Sequence, residues 1–220
     1  MNSATFEDHS ETPVIRIVDD DISFRRALQR LLQASGYRVQ DYGSVGDMLL
    51  AGMGPEPGCL ILDIHMPGPS GLELQAMLAA EANPLPVIFV TGEATVQDSV
   101  RAMKAGAADF LFKPVDSDAL LAALERTLKD DANQRREARR LCKLRARYDT
   151  LSVRERQVLD MVTNGALNKQ ISAKLDVAER TVKAHRARGM EKMEVRTLAE
   201  LVRLVEQLHI GSNAENLGYS

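Results

Sequence analysis

Five polar residues lie at or just after the ends of short apolar runs with the β-branched composition of strands: Asp19, Asp20, Asp63, Thr91 and Lys113. Carboxylates gathered in one crevice repel one another, and a hard divalent cation such as Mg²⁺ relieves that repulsion. A lysine and a hydroxyl beside them can bind phosphoryl oxygens. These residue types therefore suit acyl-phosphate formation, with Asp63 as the nucleophile and Mg²⁺ as the cofactor.

The elements that must bring these residues together alternate between strand and helix. Strands are predicted at 14–18, 37–42, 59–62, 86–90 and 109–112, and helices at 23–34, 45–51, 72–82, 96–105 and from 119 onward. This pattern predicts an α/β fold with a doubly wound five-stranded parallel sheet. The active crevice of such a sheet lies beyond the carboxyl ends of its strands, where all five polar residues fall.

Each of these residues taken alone also has an ordinary structural explanation. An aspartate after a strand is often a helix cap, a threonine there is often packing, and a lysine before a proline is usually solvated. Their recurrence at successive strand ends favours a shared site. An aspartyl phosphatase is the enzyme alternative, but His65 stands where such enzymes have a second aspartate. We therefore predict a protein that is not an enzyme and has no catalytic residues of its own.

Four segments carry a resemblance to a known family: Val18-Asp-Asp-Asp21, Leu62-Asp-Ile-His-Met-Pro-Gly68, Val90-Thr-Gly92 and Asp109-Phe-Leu-Phe-Lys-Pro114. They resemble the receiver domains of two-component response regulators over roughly residues 12–128. The resemblance implies a flavodoxin-like fold, a phosphoacceptor at Asp63 and a sensor histidine kinase as partner.

The same resemblance implies roles for the neighbouring residues. Asp20, Asp63 and the main-chain carbonyl of His65 would bind Mg²⁺ directly, and Asp19 would act indirectly, through water. Lys113 would bind the phosphoryl group. Thr91 and Phe110 match the family's switch pair, in which the hydroxyl turns toward the phosphoryl group and the ring moves inward. The family also usually has a cis peptide bond before the proline, here Lys113–Pro114.

Charge is distributed unevenly along the chain. Residues 1–128 contain 9 Lys and Arg against 18 Asp and Glu, whereas residues 129–220 contain 19 against 13. The formal charges of −9 and +6 point to an anionic partner such as nucleic acid for the second part. Solvated surface charge is the alternative explanation.

Composition favours a cytoplasmic protein. The two cysteines, Cys59 and Cys142, have no metal-ligand spacing, and no apolar run is long enough to span a membrane. The polar N-terminus lacks the apolar core of a signal peptide. We expect no membrane partner.

The second part of the chain is predicted to be helical. Ser152 and Glu155 form a capping box, and helices are expected at 168–175, 179–193 and 197–208. Two short helices joined by a tight turn, the second of them basic, suggest a helix-turn-helix.

Three segments strengthen this prediction: Leu151-Ser-Val-Arg-Glu-Arg-Gln-Val-Leu159, Asn168-Lys-Gln-Ile171 and Thr181-Val-Lys-Ala-His-Arg186. They resemble the LuxR-type output domain of FixJ and NarL regulators over about residues 149–208. The resemblance implies that helix 179–193 reads double-stranded DNA. The residues expected at the DNA are Lys169, Thr181, Lys183, Ala184, Arg186, Ala187, Arg188 and Lys192.

Three residues depart from the family pattern. Ala178 replaces the usual Ser or Thr cap, which costs about 1 kcal/mol, and Ser172 stands where alanine is usual. Gly189 replaces a branched apolar residue inside the recognition helix. We expect a loosened or kinked helix there, which a Gly189→Val substitution would stabilise.

The sequence thus predicts four regions: a receiver domain at 12–128, a charged helical linker at 129–148, a LuxR-type helix-turn-helix domain at 149–210 and a flexible tail at 211–220. The resulting hypothesis is a phosphorylation-dependent transcription activator that forms a homodimer when phosphorylated and works with RNA polymerase. A phosphorylated adaptor whose helices bind protein or RNA is the alternative, and selective duplex binding distinguishes the two.

Overall fold

The computed structural model of the protein describes residues 12–54, 56–80 and 84–217, with side chains described as far as Leu208. The chain divides into two compact units, and the division falls between Arg135 and Arg136. No helix within the described residues is both long and apolar enough to cross a membrane.

Within the described residues, the first unit contains five strands, four complete helices and the first part of a fifth helix. The strands are β1 (Val14–Val18), β2 (Arg38–Tyr42), β3 (Gly58–Leu62), β4 (Val87–Thr91) and β5 (Asp109–Phe112). The helices are α1 (Ile22–Ala34), α2 (Val45–Ala51), α3 (Gly71–Leu78), α4 (Val96–Lys104) and α5 (Ser117–Asp149). Every strand lies within one residue of its predicted position.

All neighbouring strands pair in parallel, in the order β2-β1-β3-β4-β5. This confirms the predicted doubly wound sheet. The chain moves from β1 to β2 at one edge and then returns to β3 on the other side of β1. The winding therefore reverses between β1 and β3, and such a reversal opens a crevice at the carboxyl ends of those strands.

Apolar side chains alternate between the two faces of the sheet. Ile15 and Ile17 of β1 pack with Leu28 and Leu32 of α1 and with Leu124 of α5. On the opposite face, β-strand residues pack with α2, α3 and α4 in a second core that includes Leu60, Leu62, Met48, Leu74 and Ala102. Burial on both faces explains why β1, β3 and β4 read as continuous apolar runs, Arg16 excepted.

Two helices of the first unit differ from prediction. Helix α3 ends at Leu78 rather than at residue 82, because Leu78 is its last buried side chain and Ala79 and Ala80 are exposed. The predicted positions 81 and 82 lie outside the described residues. Helix α5 continues as far as Asp149 and so includes the whole of residues 129–148, which the sequence predicts as a helical linker. Of these, 129–135 belong to the first unit and 136–148 to the second.

The second unit contains the last part of α5 and the helices α6 (Val153–Thr163), α7 (Asn168–Leu175), α8 (Glu179–Lys192) and α9 (Leu198–Leu217). One core joins Leu144 of α5 with Leu159, Met193, Leu201 and Val205. A smaller core holds α7 and α8 against α6 through Val158, Val162, Ile171 and Val182.

The C-terminal helix is longer than predicted. Helix α9 reaches Leu217, so residues 211–217 are helical where the sequence predicts a flexible tail. Residues 209–217 contain a single glycine and no proline, and one glycine costs a helix only about 1 kcal/mol. The prediction of a flexible tail is therefore wrong for residues 211–217.

Candidate functional site

The carboxyl ends of four strands bring the predicted phosphoryl-transfer residues together. The pairing of Val18 with Leu62 sets Asp19 beside Asp63, and the Asp63 amide donates to the Val18 carbonyl at 3.0 Å. On the other side, the Lys113 amide donates to the Thr91 carbonyl at 2.8 Å. The sheet register therefore fixes the backbone from which each of these side chains extends.

Three carboxylates form an acidic cluster in this crevice. Asp19, Asp20 and Asp63 each offer an oxygen, and these oxygens lie within 4.8 Å of one another. Asp19 and Asp63 are buried, whereas Asp20 is exposed. Hard oxygen ligands with an open side toward water fit Mg²⁺, which retains several water ligands when it binds to proteins.

Lys113 joins the two buried carboxylates. Its Nζ donates to Asp19 Oδ2 at 2.6 Å and to Asp63 Oδ2 at 2.7 Å. Burial alone would lower the pKa of the Lys113 ammonium, but its hydrogen bonds to Asp19 and Asp63 outweigh burial and raise that pKa. Burial raises the pKa of Asp19, and Lys113 opposes that shift. Lys113 thus stays charged within a site that holds more negative than positive groups.

The β1–α1 loop is held by hydrogen bonds that position the acidic cluster. The Asp21 amide donates to Asp19 Oδ1 at 2.9 Å, and Asp21 itself caps α1. Arg25 donates from Nη1 to the Asp19 carbonyl at 2.5 Å and from Nε to Asp41 Oδ2 at 3.1 Å. These contacts fix the backbone of Asp19 independently of its carboxylate.

Two residues at this site escaped the sequence reasoning. Arg25 ties the Asp19 backbone to Asp41 of β2, and the ring of Phe24 lies 4.4 Å from Lys113 Nζ. Both belong to the first turn of α1, directly after the acidic triplet that the sequence analysis singled out. Their proximity to that triplet was the available signal.

The predicted switch residues lie beside the crevice. Thr91 is fully buried, and its hydroxyl donates to the Glu93 carbonyl at 3.0 Å. The half-buried ring of Phe110 lies tilted against Phe89 and edge-on to Phe112, with centroid separations of 6.1 and 5.3 Å. The Lys113–Pro114 peptide bond is cis, as expected.

The loop after β3 approaches the acidic cluster closely. The His65 amide donates to Asp63 Oδ1 at 3.2 Å, which orients that carboxylate. A Cβ atom on Gly71 would lie 2.2 Å from the Asp63 carbonyl oxygen. Only glycine lets α3 begin this near to the strand end that carries Asp63.

In the second unit, α7 and α8 have the arrangement predicted for a helix-turn-helix. Asp176 ends α7 in a left-handed conformation, and the Ser172 hydroxyl donates across the turn to the Val177 carbonyl at 2.6 Å. The unusual serine thus stabilises the turn. Ala178 is the N-cap residue of α8 and makes no side-chain hydrogen bond, because its methyl group cannot accept one.

Most of the residues predicted to contact DNA are accessible on α7 and α8. The exposed ones are Lys169, Lys183, Ala184, Ala187 and Arg188, and the half-buried ones are Thr181 and Arg186. Val182, between them, is fully buried in the smaller core. Helix α8 therefore has one face packed against the core and another face that is basic and exposed to solvent.

Lys192, which is predicted to contact DNA, has intramolecular partners that the sequence did not indicate. Its Nζ donates to Glu155 Oε2 at 2.7 Å and to the Thr150 carbonyl at 3.1 Å. The hydrogen bond from Lys192, supported by the Ser152 amide, lowers the pKa of the buried Glu155 to about 2. The ammonium of Lys192 thus ties α8 to the start of α6, and Lys192 is not among the DNA contacts that we propose below.

The prediction of a kinked helix at Gly189 is wrong. Helix α8 continues through Gly189, whose carbonyl accepts from the Met193 amide at 3.0 Å. A Cβ atom there would lie 2.9 Å from Leu159 Cδ1. Leu159 occupies the space that a branched side chain would need. Packing therefore favours glycine at this position, and its missing side chain leaves no cavity.

Comparison with known proteins assigns each of the two units to a family. The family "Response regulator receiver domain" matches residues 15–125, and "Bacterial regulatory proteins, luxR family" matches residues 149–205. The chain is 41% identical to nodulation protein W of Bradyrhizobium diazoefficiens, over 93% of this chain and 90% of that one. It is 42% identical to the transcriptional regulatory protein FixJ of Azorhizobium caulinodans, over 88% and 92%.

Among solved structures, the response regulator StyR superposes with a TM-score of 0.82 at 42% identity, covering 89% of this chain and 99% of StyR. The parallel sheet and its acidic crevice define the first unit as a receiver domain. The chain belongs to the two-component response regulators of the FixJ and NarL type, transcription regulators that join a receiver to a LuxR-type DNA-binding domain.

Proposed function

We propose that a sensor histidine kinase phosphorylates Asp63 and that this modification controls binding of the second unit to double-stranded DNA. The observation that carries the proposal is the position of Lys113, whose Nζ lies 2.6 Å from Asp19 and 2.7 Å from Asp63 within the acidic cluster. A cation held between two buried carboxylates suits neutralisation of a phosphoryl group on one of them.

The transfer itself requires little covalent chemistry from the protein. An oxygen of the Asp63 carboxylate attacks the phosphorus of the kinase's phosphohistidine. The P–O bond forms as the P–N bond breaks, and the departing histidine nitrogen takes a proton from solvent. The receiver contributes by orienting the nucleophile, through the His65 amide, and by balancing charge, through Lys113.

The acidic cluster would hold Mg²⁺. Asp20, Asp63 and the main-chain carbonyl of His65 would be its protein ligands, with Asp19 acting through water. When bound, Mg²⁺ neutralises phosphoryl oxygens and so favours transfer. The closeness of the three carboxylates supports this assignment.

Phosphorylation would then rearrange the switch residues. Lys113 exchanges its contact with the Asp63 carboxylate for a phosphoryl oxygen. The Thr91 hydroxyl leaves the Glu93 carbonyl and donates to another phosphoryl oxygen, and the ring of Phe110 moves inward. These movements alter the receiver surface and release the output function.

For the output, we propose that α8 enters the major groove of DNA. Lys183, Ala184 and Ala187 face the base edges, whereas Lys169, Thr181 and Arg186 contact phosphates and Arg188 adds positive charge. A phosphorylated homodimer would bind two half-sites and activate transcription with RNA polymerase. Such a protein acts where the chromosome is, in the cytoplasm.

Phosphorylation is tested by incubating the full chain with Mg²⁺ and acetyl phosphate and separating the products on a phosphate-affinity gel. Borohydride trapping followed by mass spectrometry maps the modified residue. We expect modification at Asp63, none in Asp63→Asn, and normal modification in the matched surface variant Asp130→Asn. Modification that persists in Asp63→Asn would overturn the proposal.

DNA binding is tested with three α8 variants and duplexes selected from a random pool. Arg186→Met should weaken binding to all duplexes and reduce the salt slope by about 1, whereas Lys183→Met should cost about 1–3 kcal/mol of selectivity. Lys192→Met is the matched control, because it removes the same charge from α8. We expect it to lower the stability of the second unit more than its affinity for DNA. Selective binding to RNA, or to neither nucleic acid, would support the adaptor alternative.

A further inference from the structure

We infer that Phe24 is a positioning residue for Lys113: its ring holds the lysine ammonium over Asp63 while that ammonium exchanges a carboxylate for a phosphoryl partner. The inference rests on the proposed phosphorylation of Asp63. It adds a role that neither the acidic cluster nor the switch residues supply.

The ring and the ammonium are in direct contact. Lys113 Nζ lies 4.4 Å from the centroid of the Phe24 ring, within the range of a cation–π interaction. The lysine side chain is only 18% exposed, so this interaction is weakly screened by water. The ammonium therefore has three partners: two carboxylates and one aromatic face.

Phe24 is itself held firmly. Asp21 caps α1 by accepting hydrogen bonds from the amides of Ser23 and Phe24, at 2.8 and 3.2 Å. The half-buried side chain packs against the core formed by β1, β3, β4, α1 and α5. The contacts that hold the backbone and side chain of Phe24 do not involve Asp63, so we expect the ring to keep its position when Asp63 is modified.

A ring suits this position better than a third carboxylate would. It attracts the ammonium through its quadrupole but carries no net charge, so it adds nothing to the repulsion between Asp63 and an incoming phosphoryl group. The contact with the ring also does not require an N–H group of the Lys113 ammonium to point at one acceptor atom. Lys113 can thus release Asp63 and bind a phosphoryl oxygen without leaving the crevice.

The test replaces Phe24 in the full chain and measures the rate of phosphorylation by acetyl phosphate with Mg²⁺. Phe24→Leu keeps an apolar side chain but removes the aromatic face, and should slow phosphorylation about 3- to 10-fold. Phe24→Tyr and Phe24→Trp keep that face and should stay within about 2-fold of the parent.

Fluorinated phenylalanines separate ring electrostatics from packing. Mono-, di- and trifluorophenylalanine at position 24 nearly preserve the ring's shape while withdrawing electron density from its face, so they report even if Phe24→Leu fails to fold. We expect the rate to fall stepwise with fluorine number. The same series at Tyr148, with Tyr148→Phe as its reference, is the control and should show no trend, because that ring lies against Arg156 in the second unit.

The outcomes distinguish this inference from the function on which it rests. A stepwise fall at position 24 alone supports the positioning role. Equal rates across the fluorinated series, or a Phe24→Leu variant as fast as the parent, overturn it while leaving phosphorylation of Asp63 intact. A parent protein that takes no phosphoryl group overturns the proposed function and the inference together.

Discussion

Among the glycines that leave no room for a side chain, two lie at the proposed functional elements. At Gly71 the obstacle is the carbonyl oxygen of Asp63, 2.2 Å from where a Cβ atom would lie, and at Gly189 it is the buried side chain of Leu159. The first keeps α3 close to Asp63, the proposed phosphoacceptor, and the second keeps α8 close to α6. At the residue scale, single hydrogen atoms in place of side chains therefore set the spacing of both proposed functional elements.

The contact at Gly189 gives a stability prediction. Gly189→Val should lower the free energy of unfolding of the second unit by about 1–3 kcal/mol, because the added atoms overpack the contact with Leu159. Leu159→Ala alone should cost about 2–5 kcal/mol. In the Leu159→Ala background the Gly189→Val cost should shrink, since the cavity accepts the new side chain. Denaturant unfolding of all four proteins measures this cycle, and additive costs would contradict the packing explanation.

The ion pair between Glu155 and Lys192 gives a pH prediction. The pKa of Glu155 is lowered to about 2 by the hydrogen bond from Lys192 and the Ser152 amide, so its stabilising effect is complete above the unfolded-state pKa of about 4.3. It is lost as pH falls from there toward 2. Amide exchange of α6 peptides should therefore lose protection over this window more steeply in the wild type than in Glu155→Gln. Parallel curves would show that the pair does not stabilise α6.

At the scale of elements, α8 begins without the side-chain cap that recognition helices of this family usually have. Ala178 has an extended backbone, with φ −65° and ψ 146°, which suits a capping residue. The first turn of α8 therefore relies on backbone bonds, among them that from the Thr181 amide to the Ala178 carbonyl at 2.8 Å. Stability at this end is open to improvement.

Ala178→Ser should stabilise the second unit by about 0.5–2 kcal/mol, because the new hydroxyl can accept from an amide of the first turn. Ala178→Val, which tolerates the same backbone but cannot accept a hydrogen bond, is the matched control and should give no gain. Thermal unfolding followed by circular dichroism measures both. A serine variant no more stable than the valine variant would mean that capping does not limit α8.

Contacts close in sequence or fixed by the sheet were predictable, and those set by packing between distant segments were not. Asp19, Asp63, Thr91 and Lys113 converge because parallel strands bring their carboxyl ends to one edge, which alternating strands and helices already imply. The partner of Lys192 is 37 residues away, and nothing in the local pattern of α8 indicates it. The prediction for Gly189 failed for the same reason. The sequence of α8 shows that a side chain is missing there, but not that Leu159 of α6 occupies the space.

At the scale of the whole molecule, the chain combines an acidic receiver unit with a basic DNA-binding unit. The formal charges of −9 for residues 1–128 and +6 for residues 129–220 match the proposed function, in which one unit binds a cation and a phosphoryl group and the other binds DNA. The net charge of −3 for the whole chain conceals this difference between its two parts.

The central claim, that the phosphorylation state of Asp63 controls DNA binding, is tested most directly by genome-wide chromatin immunoprecipitation of the wild type beside Asp63→Asn. Asp130→Asn serves as the control for loss of a surface carboxylate. We predict sharp peaks that share a two-fold motif in the wild type and in Asp130→Asn, and much weaker peaks in Asp63→Asn. Peaks of equal strength in all three proteins would contradict the claim by retaining DNA binding without its switch.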